Sequence, residues 1–158
     1  MNIPGNKNNG CFCHRLILSL VIILVSGCAA VPEIKPAARQ VIQYALSLQG
    51  LPYHYGKNSP AQGFDCSGFV NHVYEQYGIL LPRTVQEMAR SLPQIPKNDL
   101  HSGDLVFFKI NGKAYSHVGI YVDNDHFIHA PSRQTGKVLV SSLKNPYWRK
   151  RFIGAGRP

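Results

Sequence analysis

The chain has 158 residues, of which 44% are hydrophobic and 16% are charged, a composition that excludes a disordered protein and predicts a single globular domain. Its 17 Lys and Arg against 8 Asp and Glu give a formal net charge of +9. Such an excess is typical of proteins that meet anionic lipid, an anionic cell-wall polymer or nucleic acid.

The N-terminus has the layout of an export signal, which argues against nucleic acid as a partner. Lys7 and Arg15 precede the apolar residues 16–25, a run shorter than the roughly 20 residues that cross a bilayer. The run ends in Leu24-Val25-Ser26-Gly27-Cys28, which resembles the lipobox of bacterial lipoproteins, whose signal is removed and whose cysteine is acylated. We therefore expect residues 1–27 to be a signal peptide and Cys28 to carry lipid. The alternative is an ordinary signal peptide with an incidental cysteine.

Residues 28–36 are expected to tether a folded domain, residues 37–158, to this lipid. Pro32 and Pro36 keep the segment out of regular structure, and a chain spans at most about 3.5 Å per residue. Ala29 stands where an aspartate typically retains such lipoproteins in the inner membrane. The resemblance therefore implies the Gram-negative outer membrane, on its periplasmic side, although the sequence does not settle inner against outer membrane.

The positions of the cysteines leave Cys66 as the one free thiol expected in the mature domain. Of the four cysteines, Cys11 and Cys13 would leave with the signal peptide and Cys28 would be acylated. An exported domain with a single free thiol has no disulfide framework to explain that thiol. The pattern favours a catalytic thiol over the alternative, a cysteine that merely fills the core.

Two helices are predicted in the first half of the domain. The first covers roughly Ala37 to Leu48. The second begins at Cys66 and ends near Gly78, because apolar residues recur at helical spacing and Asp65 can cap the free N–H groups of the first turn. At that position the helix dipole favours a thiolate, so we expect the pKa of Cys66 to be lowered.

The second half reads as one more helix followed by a sheet. Residues 82–92 form a short helix in which Thr84 and Glu87 make a capping box. Strands are then predicted at residues 104–109, 117–122 and 126–130, with edge strands at 138–140 and 151–153 and a turn at Asn111-Gly112. Helices followed by an antiparallel sheet predict an α+β domain.

Strand parity predicts that two histidines lie together. If residues 123–125 form a three-residue loop, Gly119 pairs with His129, and His117 is a diagonal neighbour of His129 on the same face, about 7–8 Å away at Cα. Gly119 would leave an open spot for the end of the Cys66 helix. The alternative is that both histidines serve packing or face solvent.

These residues suggest a nucleophile (Cys66), a base (His117) and a group that orients the base (His129). The same three side chains could instead supply three ligands to zinc. Zinc is the less favoured alternative, because cysteine-nucleophile chemistry needs no metal or cofactor.

Residues 65–70, 103–108, 117–121 and 129–130 resemble, in order, the motifs of the NlpC-type cell-wall peptidases, and residues 51–56 and 81–84 match as well. The resemblance covers about residues 37–157. It implies a papain-like fold and hydrolysis of amide bonds in peptidoglycan stem peptides or cross-links, from D-glutamyl or D-alanyl to a diamino acid. It assigns Cys66, His117 and His129 as the catalytic set, with Tyr53 beside the nucleophile as an oxyanion donor and no cofactor.

One departure concerns Lys57, which stands where the family usually has a second glycine, in a loop that is one residue longer. It affects one wall of the expected cleft. Two other functions stay open from the sequence: an amidase or acyltransferase that uses the same site, and an inactive module that binds the cell wall. The sequence also leaves open the bond that is cut, the oligomeric state, and a regulatory adaptor or protease as a further partner.

Overall fold

The computed structural model describes residues 36–158, so the predicted signal peptide and Cys28 lie outside the described residues. The helices are α1 Pro36–Ser47, α2 Cys66–Glu75, α3 Val85–Ser91 and α4 Pro146–Arg151. The strands are β1 Asn58–Ser59, β2 Gly63–Phe64, β3 Leu105–Ile110, β4 Lys113–Asp123, β5 His126–His129, β6 Leu139–Ser142 and β7 Phe152–Gly156. No helix within this range has the length and apolar character that would let it span a bilayer.

Strands β3 to β7 form one antiparallel sheet in the order β6-β5-β4-β3-β7, which confirms the α+β class and places the two predicted edge strands at the edges. Strands β1 and β2 pair as a small separate hairpin in the loop before Cys66, where the sequence predicted no strand. Helix α4 was not predicted from the sequence.

The sheet is covered on both faces. On one face, α1, α2 and α3 pack over alternate strand residues, including Phe107, Val118, Ile120 and Ile128. On the other face, Val106, Phe108 and Phe127 pack with residues of the C-terminal segment that contains α4. Strand β3 is therefore buried on both sides at residues 105–108, which explains its continuous apolar run.

The turn between β4 and β5 differs from the prediction. Asn124 and Asp125 both have left-handed φ angles, 44° and 64°, as a two-residue type I′ turn requires. Asp123 pairs with His126, and a bulge between Tyr121 and Asp123 then restores the pairing of Ile120 with Ile128. The prediction of a three-residue loop was wrong. The bulge supplies the extra residue, so the expected register holds farther along the strands.

Local helix signals were accurate to a few residues. Helix α2 begins at Cys66 as predicted and ends at Glu75, short of Gly78. Helix α3 begins at Val85 instead of residue 82, and its capping box between Thr84 and Glu87 is present.

Candidate active site

The start of α2 places Cys66 at the first helical position. The preceding Asp65 is the N-cap, and its side chain accepts a hydrogen bond from the Gly68 N–H at 2.6 Å. The Lys57 carbonyl lies where a side chain at Gly68 would have to go, so glycine is needed for this close approach. The start of α2, and with it the thiol, is therefore held by the Asp65 cap and by the close approach of the Lys57 backbone.

Asp65 also connects the helix to its surroundings. Its carboxylate accepts from the Gly56 N–H at 2.9 Å and from Arg83 at 2.8 Å. Arg83 in turn donates to the Ser67 hydroxyl at 2.7 Å. The sequence motif at residues 81–84 therefore contributes an ion pair at the N-terminus of α2. The sequence alone did not reveal this role for Arg83.

His117 and His129 are in direct contact, as the parity argument predicted. The His117 Nε2 and His129 Nδ1 atoms are 2.7 Å apart, and His129 Nε2 lies 2.9 Å from the Ser141 hydroxyl. One proton must lie between the two ring nitrogens, which leaves His117 Nδ1 as the nitrogen free to exchange a proton with a thiol.

The two rings share the face opposite Val118 and Ile120, as expected, but α2 does not cover the histidine face. They pack with Phe108 and Phe127, whereas α2 covers the opposite face. The spot beside Gly119 is filled by Phe127 and His129, so the prediction that it receives the helix end is wrong. Val118 and Ile120 alternate with His117 along β4, so their side chains point to the opposite face of the sheet. The apolar stripe of α2 packs on that face because burial there removes apolar surface from water.

Cys66 and His117 nevertheless line one cavity of about 570 Å³, together with Tyr53, Asp65, Arg83 and Lys113. The thiol lies near the backbone N–H of Val118, the residue after His117. His129 does not line this cavity and stands behind His117. The structure thus brings Cys66, His117 and Tyr53 to one surface and supports His117 from behind with His129.

The ionisation of the resting site differs from the prediction. Burial, with a further contribution from the Asp65 carboxylate, raises the pKa of the Cys66 thiol to about 11, although nearby backbone N–H groups lower it. Burial lowers the pKa of His117 to about 4, and burial and His117 lower the pKa of His129. The expected low pKa of Cys66 is wrong because the effect of burial exceeds that of the helix end.

These pKa values favour a neutral pair of Cys66 and His117 at pH 7. Moving the proton from a group of pKa about 11 to one of pKa about 4 costs on the order of 10 kcal/mol. Even at a separation of about 4 Å, attraction between the resulting charges would return only about 4 kcal/mol at an effective dielectric constant of about 20.

Tyr53 lies close enough to the nucleophile to respond to its charge. Burial raises the pKa of Tyr53, and the charges of Cys66 and Asp65 raise it further. Its backbone N–H donates to Gly136 at 2.8 Å, which holds its segment in place. Tyr53 therefore remains a protonated phenol and a hydrogen-bond donor at neutral pH.

The departure at Lys57 does not place its side chain in the cavity wall. The neighbouring Gly56, and not Lys57, lines the cavity. Among non-glycine residues of the described range, left-handed φ angles occur at Asn111, Tyr115, Asn124 and Asp125, so the backbone at Lys57 needs no glycine.

The sequence did not reveal two residues that contact the histidines, Trp148 and Ser141. The Trp148 ring stacks on His117 with centroids 5.4 Å apart and planes at 27°, and it meets His129 edge-on at 4.7 Å. Asn145 and Pro146, a cap and a first-turn proline, are the signal that would have predicted α4 and its tryptophan. Ser141 lay one residue beyond the predicted end of β6.

Within residues 36–158, no group of three or more His, Cys, Asp or Glu side chains is arranged to hold a metal ion.

A model of the NlpC/P60 family matches residues 50–157. The chain is 37% identical over 129 residues to murein DD-endopeptidase MepH of Escherichia coli K12, covering 79% of this chain and 47% of that protein. It is 42% identical over 119 residues to the bifunctional muramidase/DL-endopeptidase CwlT of Bacillus subtilis 168, covering 74% of this chain and 35% of that protein.

The match to MepH thus spans about half of that protein, and the match to CwlT about a third. Among solved structures, a crystal structure of an NlpC/P60 family protein from Bacillus cereus ATCC 10987 matches with a TM-score of 0.72 and 34% identity. This match covers 77% of this chain and 40% of that one.

Proposed function

This chain belongs to the NlpC/P60 family, and on that premise we propose that it is a cysteine endopeptidase that hydrolyses amide bonds in peptidoglycan stem peptides. The observation that carries the proposal is the shared cavity of Cys66 and His117, with His129 bonded to the far nitrogen of His117 at 2.7 Å. A nucleophile, a base and a group that orients the base are what acyl transfer requires.

The reaction begins with two neutral groups. As the Cys66 Sγ attacks the carbonyl carbon of the scissile amide, His117 Nδ1 takes the thiol proton. The C–N bond then breaks, the imidazolium returns that proton to the leaving amine, and a thioester remains. Water next attacks the thioester, passes a proton to His117 Nδ1, and the Cys66 thiolate leaves and is reprotonated.

Burial makes the His117 imidazolium costly, so its stabilisation is the main task of the surrounding residues. The His117 Nε2–H donates to His129 Nδ1, and this bond strengthens when His117 becomes charged. Ser141 holds the other nitrogen of His129. The oxyanion is stabilised by the backbone N–H of Cys66 and by the hydroxyl of Tyr53, a residue that lines the same cavity.

The substrate bond involves a diamino acid in the stem peptide or in a cross-link. MepH is named a DD-endopeptidase, and CwlT is named in part a DL-endopeptidase. Both types of bond are amides that a thiol nucleophile can open, so the same catalytic set serves either one.

The test is digestion of purified peptidoglycan and of isolated muropeptides, with mass spectrometry of the fragments. Wild-type protein should release products whose masses identify one type of bond, and Cys66→Ser should release none while keeping its fold. Transfer of the acyl group to an amine acceptor would favour an acyltransferase. Binding to peptidoglycan without any cleavage would contradict the proposal.

We further propose that the protein is anchored through acylated Cys28 in the cell envelope, at the outer membrane of a Gram-negative cell with the domain in the periplasm. The support is the lipobox-like residues 24–28 and Ala29 after them. Labelled palmitate should enter wild-type protein and not Cys28→Ala, and the variant should appear as an uncleaved or soluble exported form. Wild-type protein free in the cytosol would contradict the anchor.

A further inference from the structure

A second cavity adjoins the catalytic one. It measures about 360 Å³ and is lined by Gln86, Ala89, Arg90, Leu92, Gln94 and Tyr115. Gln86 and Tyr115 also line the catalytic cavity. The two cavities therefore share a wall and form parts of one groove between α3 and β4.

Helix α3 sets the direction of this groove. Gln86 and Arg90 are four residues apart, so they lie on the same face of the helix, about 6 Å apart along its axis. That distance corresponds to about two residues of an extended peptide. A peptide bound beside Cys66 that continued past Gln86 would therefore pass Arg90.

Tyr115 holds the opposite wall. Its φ angle is 49°, a left-handed value that a bulky residue adopts at a cost. Its ring packs on Phe107 with centroids 5.9 Å apart. This fixed backbone places an aromatic wall between the two cavities.

The charges of the groove suit an anion. The ion pairs within residues 36–158 are Arg83 with Asp65, Lys144 with Asp125 and Arg157 with Asp104, so the guanidinium of Arg90 has no carboxylate partner in the described chain. The second cavity has no acidic side chain in its lining, and its wall includes the apolar Ala89 and Leu92. A guanidinium beside a small apolar surface fits an amino-acid residue that carries a free carboxylate and an aliphatic part.

We propose that this second cavity is a substrate subsite in which Arg90 binds one carboxylate of the stem peptide. The inference rests on the proposed endopeptidase function and deepens it, because it makes Arg90 a determinant of which stem peptides are accepted. Amidation of that carboxylate on the substrate would weaken binding without changing the reacting bond.

A purely structural role for Arg90 makes a different prediction. Arg90 lies in the last turn of α3, where a cation interacts favourably with the helix end. Loss of that interaction would affect every substrate equally. The experiment must therefore separate dependence on a substrate carboxylate from a general loss of activity.

The experiment measures kcat and KM for a series of synthetic stem peptides in which one carboxyl group at a time is converted to a carboxamide. For wild-type protein, one of these amidations should raise KM about five- to tenfold with little change in kcat, as expected for an accessible charge-assisted contact. Arg90→Ala should show that higher KM with the unmodified peptide and no further increase with the amidated one. Arg90→Lys, which keeps the charge at the helix end, should lie between the two.

Arg39→Ala is the matched control, because Arg39 is an exposed arginine on another helix, α1, and lines neither cavity. It should keep the wild-type sensitivity to amidation. An equal loss for Arg90→Ala on all peptides, or a wild-type protein indifferent to every amidation, would overturn the subsite alone. Failure of wild-type protein to hydrolyse any of the peptides would overturn the proposed function and the subsite with it.

Discussion

Replacement of His129 separates its support of His117 from simple packing. His129 is fully buried, and His129→Ala would leave the His117 Nε2–H without its partner at 2.7 Å. A buried unsatisfied donor costs about 1–3 kcal/mol of folding stability. During catalysis the lost bond is one to a charged imidazolium, worth about 1.5–3 kcal/mol, so kcat should fall roughly 10- to 100-fold.

His129→Asn provides the sharper comparison. Since His117 contacts Nδ1 of His129, an asparagine can place its Oδ1 near the same point and accept the bond. A glutamine places its polar atoms one bond farther out. We therefore expect activity to fall in the order wild type, His129→Asn, His129→Gln, His129→Ala, and His117→Asn to be lower than all of these because an amide cannot shuttle the proton.

The assay is kcat on a purified muropeptide, with urea unfolding of each variant to correct for lost stability. His126→Ala is the matched control, because His126 begins the same strand β5 but is exposed. It should keep wild-type kcat. Full activity in His129→Ala, or an asparagine variant no better than alanine, would refute a role for His129 in holding the His117 ring.

Three further predictions follow from the same site. At pH 7 Cys66 should react with iodoacetamide more slowly than a free cysteine peptide, because burial raises the pKa of the thiol to about 11. The rate should rise toward pH 11. A reaction faster than that of the peptide at pH 7 would contradict the neutral resting pair. Trp148→Ala should lower kcat about tenfold, because the Trp148 ring stacks on His117 and restricts the rotamers of His117. Trp148→Phe should keep most of the activity. Unchanged kcat in Trp148→Ala would show that the stacking does not position His117. The pKa of His117 is about 4 when folded and about 6.5 when unfolded, so the unfolded chain binds more protons between these values and stability should fall by about 3 kcal/mol as the pH drops from 6.5 to 4. Urea unfolding across that range should show a smaller fall for His117→Asn, and equal curves for the two proteins would contradict the buried neutral histidine.

The local signals in the sequence predicted much of the fold and, together with the family resemblance, nominated the candidate site residues. A cap such as Asp65, a capping box at Thr84 and a turn at Asn111-Gly112 act through contacts a few residues apart, so they can be recognised without knowing the rest of the structure. Strand parity likewise placed His117 and His129 on one face. The turn length on which that argument relied was wrong, and a bulge compensated for it.

Only the tertiary structure decided the properties that depend on contacts between distant segments. The sequence pattern of α2 predicts an apolar stripe, but not which face of the sheet the stripe covers, and the structure placed it opposite the histidines. The raised pKa of Cys66 arises from burial that the whole fold creates, whereas the sequence showed only the helix end that opposes it. Trp148 and Arg90 gained their surroundings in the same way, because packing brings together side chains whose proximity no short sequence pattern encodes.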